Sequence, residues 1–149
     1  MTTANYDVVM SVVSIRFSND STYERLRTSA RSQKVAVSAL AERLIAEGLR
    51  SDAHLQVIFR PGPGGRRPVL IGGPEVADVV GAVVRGDVPV EDRRRRAGEL
   101  LGIEEALVDA AIAYYAEFTE EIDDLLEARR QAADAAEAAW RRQQALLTR

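Results

Sequence analysis

Residues 11–20, SVVSIRFSND, alternate in polarity, so that Val13, Ile15 and Phe17 fall on one face of a strand and Val12, Ser14 and Arg16 on the other. A helical pattern begins immediately afterwards, and no second strand pattern appears until beyond residue 54. A lone strand leaves its N–H and C=O groups without partners, and even a two-stranded ribbon is marginal unless something packs on it. The strand therefore needs a partner from outside its own neighbourhood, and the nature of that partner bears on function.

Ser18, Asn19, Asp20 and Ser21 supply side-chain oxygens suited to an N-cap, and Glu24 stands three residues after Ser21, the spacing of a capping box. A first helix is expected from Ser21 to about Ser32, with Tyr23, Leu26 and Ala30 along one face. After a break near residues 33–36, a second runs from about Val37 to Leu49, with Leu40, Leu44 and Ile45 as its stripe and Gly48 near its stop. Strand, helix and helix in about 40 residues make a unit too small to bury an adequate core alone.

From His54 the pattern changes. Val57–Phe59 and Val69–Ile71 are short apolar runs around the turn PGPGG, which reads as a hairpin. PGPGGRR lacks the spacing of a phosphate-binding loop, so the turn explains it. Helices are expected at roughly 75–85, 90–101 and 104–118. Val76, Val79, Val80 and Val83 pack the first, and Leu100, Leu101, Leu107, Ile112 and Tyr115 close the core. A long helix follows from Thr119 to about Leu147, capped by Thr119 and with Glu120 and Glu121 in its first turn. Residues 131–139 are mostly alanine with polar residues, so its second half projects or needs a partner. Residues 1–10 read as a mobile leader.

Composition removes several functional classes. With no cysteine and one histidine, His54, thiol catalysis, disulfides and a His-based metal site are not expected, and no cofactor is. No nucleophile–base pair stands out, and Glu120, Glu121, Asp123 and Asp124 are explained by a helix start, so an enzyme is not expected. No stretch of 18 apolar residues and no signal-peptide pattern occurs, which points to a cytoplasmic protein with no membrane partner. Charge is uneven. Residues 1–52 carry seven basic and six acidic side chains, residues 53–102 eight and six, and residues 103–149 five and eleven. Any nucleic-acid contact thus belongs nearer the N-terminus. The run Arg93–Arg96 spreads around its helix, with Asp92 and Glu99 close enough to pair; a solvated face, a phosphate contact and a protein contact stay open.

VVSIRF, the helix STYERLRTSARS, a break and the helix VSALAERLIAEGL together resemble the ribbon-helix-helix DNA-binding domain, over about residues 12–50. The resemblance implies an intertwined homodimer whose two strands pair antiparallel and lie in the major groove of operator DNA. Val13, Ile15 and Phe17 would pack on the helices, and Val12, Ser14 and Arg16 would face the bases. Arg16 suits guanine O6 and N7, Ser14 either donates or accepts, and Val12 touches a thymine methyl. Backbone N–H groups around Val37 and Ser38 would hold a phosphate. The family usually places Ser or Thr near that helix start, where this chain has Ala36, which puts one side-chain phosphate contact in question. A plain dimerisation ribbon with Arg16 merely solvated remains the alternative.

The stretch from His54 to about Asp123, above all EALVDAAIAYYAEFTEEID, resembles a small helix-turn-helix-like domain found in antitoxins of bacterial type II toxin–antitoxin pairs. That resemblance implies a neighbouring toxin with a PIN-like, metal-dependent ribonuclease fold. The helix that would enter a DNA groove here, about Glu104 to Glu117, has four acidic residues and no basic one, so a protein contact is expected of it instead. On the terminal helix, Trp140 is a natural anchor, and Arg129, Arg130, Arg141 or Arg142 would enter the toxin's acidic metal site. A coiled coil or packing arm within the dimer is the other reading of that helix.

The expectation is a mainly α chain: a ribbon-helix-helix domain over residues 11–51, a β-hairpin with three helices over 54–118, and a long helical arm over 119–149. Its expected role is a homodimeric antitoxin and autorepressor. A stand-alone ribbon-helix-helix regulator without a toxin, or a scaffold that uses the ribbon only to dimerise, are the alternatives.

Overall fold

The computed structural model describes residues 11–84 and 88–147. The leader expected over residues 1–10, and residues 85–87, lie outside them. The chain divides into two compact units, one ending at Ile45 and the other beginning at Ala46. The division falls inside a helix, a few residues before the boundary expected near residue 51.

In the first unit, α1 (Asp20–Gln33) and the start of α2 (Val37–Ala53) follow a segment, residues 11–19, with no helix or strand. Asn19 is the N-cap of α1, and its Oδ1 accepts from the Ser21 N–H at 2.8 Å. The capping box expected from Ser21 does not form, because Ser21 already lies inside the helix and Glu24 pairs with Arg27 one turn on, at 2.9 Å. At the other end Lys34 takes a left-handed conformation, φ 56°. Its N–H donates to Arg31 O at 3.1 Å and that of Val35 to Ala30 O at 3.0 Å, the paired bonds of a Schellman motif. This turn makes the break seen in the sequence, and Arg43 donates across it to Gln33 Oε1 at 2.6 Å. α2 runs past Gly48, the expected stop, to Ala53. A single glycine costs a helix only about 1 kcal/mol, which flanking helix formers offset.

The second unit contains the rest of α2, then β1 (Val57–Gly62) and β2 (Gly65–Leu70), paired antiparallel with Val57 opposite Leu70 and Gly62 opposite Gly65. Pro63 followed by Gly64 at φ 81° closes the hairpin, a sequence that suits a turn with a left-handed third residue. Next come α3 (Val76–Val84), a 3₁₀ turn (Val90–Asp92), α4 (Arg93–Leu101), α5 (Glu105–Glu117) and α6 (Thr119–Leu147). The chain is mainly helical with one small hairpin. Thr119 does not cap α6 with its side chain: the hydroxyl donates back to Tyr115 O at 2.8 Å.

The core of this unit joins Val57 and Leu70 of the hairpin to Val76, Val79 and Val80 of α3, Val108, Ala111 and Tyr114 of α5, and Ile122 of α6. Of the residues expected to close it, Leu101, Leu107, Ile112 and Tyr115 pack partly buried against its edge, but Leu100 is 63% exposed. α4 ends one residue later at the left-handed Gly102, which leaves Leu100 on the outward side of the last turn. Tyr114, rather than its neighbour Tyr115, is the largest fully buried side chain.

Gly98 sits buried in α4, where an added Cβ would meet Ile103 O at 2.9 Å. That carbonyl belongs to the tight turn in which the Ile103 N–H donates to Gly98 O at 3.0 Å, so it has little room to retreat. Although alanine is the better helix former, Gly98→Ala is expected to destabilise the second unit by about 1–3 kcal/mol, measurable as a lower urea midpoint at unchanged slope.

Candidate functional sites

Each unit carries one candidate surface. In the first, residues 11–17 are exposed and in neither helix nor strand, and no strand ladder forms on them within the described residues. Val12 is 88% and Val13 81% exposed, whereas Ile15 and Phe17, at 52% and 38%, are partly covered. Ser14 and Arg16 are exposed as well. Ile15 and Phe17 line an apolar groove of about 400 Å³ together with Leu26, Ala41, Leu44 and Ile45, and the Phe17 ring lies 5.5 Å from that of Tyr23. Among the described residues of this unit only Ala30 and Leu40 are buried. Val37 and Ser38 open α2, whose first-turn N–H groups have no intrahelical acceptor, and no acidic residue stands in that turn.

The unit is also the basic part of the chain. Residues 11–45 hold six basic and three acidic side chains, whereas residues 46–149 hold fourteen and nineteen.

In the second unit, the terminal helix holds every residue expected to touch a toxin, and the structure separates them. Arg129 is committed to the fold: its guanidinium bonds Glu75 and Asp78 of α3, and Glu75 also meets Arg67 of β2 at 3.4 Å. Arg130 pairs with Glu127 at 2.7 Å and Asp134 at 3.5 Å, and Arg141 pairs with Glu137, all on the same helix and all exposed. Such exposed pairs contribute under about 1 kcal/mol and exchange readily. Arg142 is exposed, and Trp140 is 58% exposed.

The arginine run on α4 is salt-bridged. Arg95 reaches Asp92 at 2.9 Å and Glu99 at 2.8 Å, Arg96 reaches Glu99 at 3.7 Å, and Arg94 reaches Asp109 of α5 at 3.2 Å. These pairs account for three of the four guanidinium groups.

A cluster that sequence reasoning missed lies around Tyr114. Arg50, from the last turn of α2, donates to the Tyr114 hydroxyl at 3.2 Å, ion-pairs with Glu121 and stacks 4.3 Å from the centre of the Phe118 ring. His54 lies edge-on to Tyr114 at 5.1 Å, and its Nε2 is 2.8 Å from Glu117 Oε2. Nothing local in the sequence signals bonds between residues more than sixty positions apart. The cluster fixes the end of α2 against α5 and α6, and its groups are engaged with one another. Among the described residues no group of three His, Asp or Glu side chains is placed to hold a metal, and no helix is long and apolar enough to cross a membrane.

Burial, and after it the negative charge of Glu121, push the Tyr114 phenol up to about 12. Below pH 10 the phenol is protonated in both folded and unfolded chains. Above pH 10 the unfolded chain ionises first, so the stability of the second unit is expected to fall by about 2–3 kcal/mol between pH 10 and pH 12. Urea unfolding across that range should show the slope in the native chain and most of it removed in Tyr114→Phe.

Comparison of the chain with protein families, with curated proteins and with solved structures gives no match.

Proposed function

We propose that the chain is a homodimeric antitoxin and autorepressor, in which a ribbon made by two copies binds operator DNA and the second unit, through α6, neutralises a PIN-like ribonuclease toxin. The observation that carries the DNA half is the condition of residues 12–17: an alternating segment in no strand ladder and with exposed apolar side chains, on a unit whose described residues bury only Ala30 and Leu40. A second copy supplies both the missing strand and the missing core. Val13, Ile15 and Phe17 then turn inward, and Val12, Ser14 and Arg16 outward to the bases, on the basic part of the chain. Val37 and Ser38 offer backbone N–H groups to a phosphate.

The toxin half rests on the arm. From Arg130 to Leu147 every residue but Ala139 is exposed, and Trp140 offers a large anchor beside Arg141 and Arg142. Arg129 leaves this role, since it is engaged by Glu75 and Asp78. Arg142 is the guanidinium best placed to enter a cluster of toxin carboxylates, with Arg130 and Arg141 next. The withdrawal of Arg129 favours the second reading, a regulator without a toxin.

Arg16→Ala is expected to weaken binding to DNA from upstream of the chain's own reading frame by about 1–3 kcal/mol in an anisotropy titration, with the dimer intact. Unchanged affinity would leave a scaffold that uses the ribbon only to dimerise. Removing residues 119–149 should abolish rescue of cells expressing the adjacent toxin-like gene while DNA binding persists. Retained rescue excludes the arm as the neutralising element, and failure of the two gene products to co-purify favours the stand-alone regulator.

A further inference from the structure

We propose that Lys34 is an acyl-acceptor site: transfer of an acyl group to its amine, from a thioester or an acyl phosphate, removes a positive charge from the turn between α1 and α2 and releases the chain from DNA. Lys34 is the sole lysine among twenty basic residues, the other nineteen being arginine. It is also, among the described residues, the one residue other than glycine with a positive φ, 56°. Glycine adopts that left-handed conformation freely, whereas a Cβ makes it unfavourable, so glycine would serve the turn itself better. What lysine adds is its side chain. It is exposed, and among the described residues it has neither hydrogen bond nor ion pair.

The surroundings of this amine are positive. Residues 25–41 contain Arg25, Arg27, Arg31 and Lys34 and no acidic residue. Lys34 precedes Val37 by three residues, so their Cα atoms stand at most about 11 Å apart, a span that a lysine stem and a phosphate bridge together. Val37 and Ser38 open α2 with N–H groups that have no intrahelical acceptor, and no carboxylate stands in that first turn to occupy them. A DNA phosphate held there gains a point charge from Lys34, and the two copies of a ribbon supply two. This inference rests on the DNA half of the proposed function and adds how that contact is switched off.

Lysine and arginine differ in what they can become. A guanidinium keeps its proton, whereas an ammonium can release one and present a nitrogen lone pair. In the transfer the Lys34 ammonium first gives a proton to solvent, and its nitrogen attacks the acyl carbonyl. The N–C bond forms, the C–S bond of the thioester or the C–O bond of the acyl phosphate breaks, and the departing thiolate or phosphate takes up a second amine proton. The product is a neutral amide, so each acylated copy loses one cation beside the start of α2.

The test treats the full chain with acetyl phosphate and titrates it against DNA from upstream of its own reading frame, with acetylation at Lys34 read by peptide mass. Acetylation is expected to lower affinity roughly ten- to hundredfold at 0.1 M salt, and to make the slope of log K against log salt shallower by about two, one phosphate for each copy. DNA added before the donor should slow acetylation of Lys34 but not of the chain's α-amino group. The donor should leave Lys34→Arg, whatever its starting affinity, unmoved. An equal loss in Lys34→Arg assigns the effect to the α-amino group and overturns the proposal. So does an unchanged salt slope once Lys34 is fully acetylated, or a Lys34 that DNA does not protect. If the untreated chain fails to bind the fragment, the DNA reading falls and this proposal with it; if it binds and acetylation changes nothing, this proposal alone falls.

Discussion

A strand-like segment needs hydrogen-bond partners, and among the described residues of the first unit no strand pairs with residues 12–17. Their side chains alternate as in a strand, but α1 and α2 satisfy their own N–H and C=O groups and cannot complete a ladder. Packing is as sparse, because the turn at Lys34 brings α1 and α2 together well enough to bury, among the described residues, Ala30 and Leu40 alone. Backbone pairing and apolar burial are thus both sparse among the described residues of this unit, and the proposed pairing of two copies would supply both.

The second unit solves its own packing problem. A two-residue turn folds the hairpin over, Val57 and Leu70 present one apolar face, and the valines of α3 sit between that face and α5. Around this apolar centre runs a polar rim: Arg66 with Glu47 at 2.7 Å, Arg67 and Arg129 with Glu75, and Arg50 with Glu121 and Tyr114. Each guanidinium lies at the edge, with its charge on a carboxylate and its stem on apolar neighbours. The buried Tyr114 is tolerated because its hydroxyl points at this rim and not into the valines.

α6 belongs to both the core and its surroundings. Ile122 is buried, Leu125 and Leu126 pack beside it, and Arg129 makes the last tie to α3. Beyond that point the helix is mostly exposed, and its alanines, good helix formers with little surface to bury, keep it helical. Residues 119–129 and 130–147 therefore do different work within one helix.

Much of this arrangement was legible in the sequence. Local chemistry sufficed for the hairpin around PGPGG, the four helices of the second unit, the break after Gln33, the exposure of the arm and the salt-bridged arginine run, because turn residues, periodicity and one-turn charge spacing act within a few positions. Local signals also misled: Asn19 rather than Ser21 caps α1, Gly48 does not stop α2, and Thr119 bonds backwards, since each outcome depends on small energies that neighbours outweigh. Only the tertiary structure decided that Tyr114 is buried and Leu100 is not, that Arg129 is spent on α3 while Arg142 remains available, and that Arg50 and His54 meet α5 and α6. Those results join residues fifty or more positions apart, and their pairing is set by how whole helices pack.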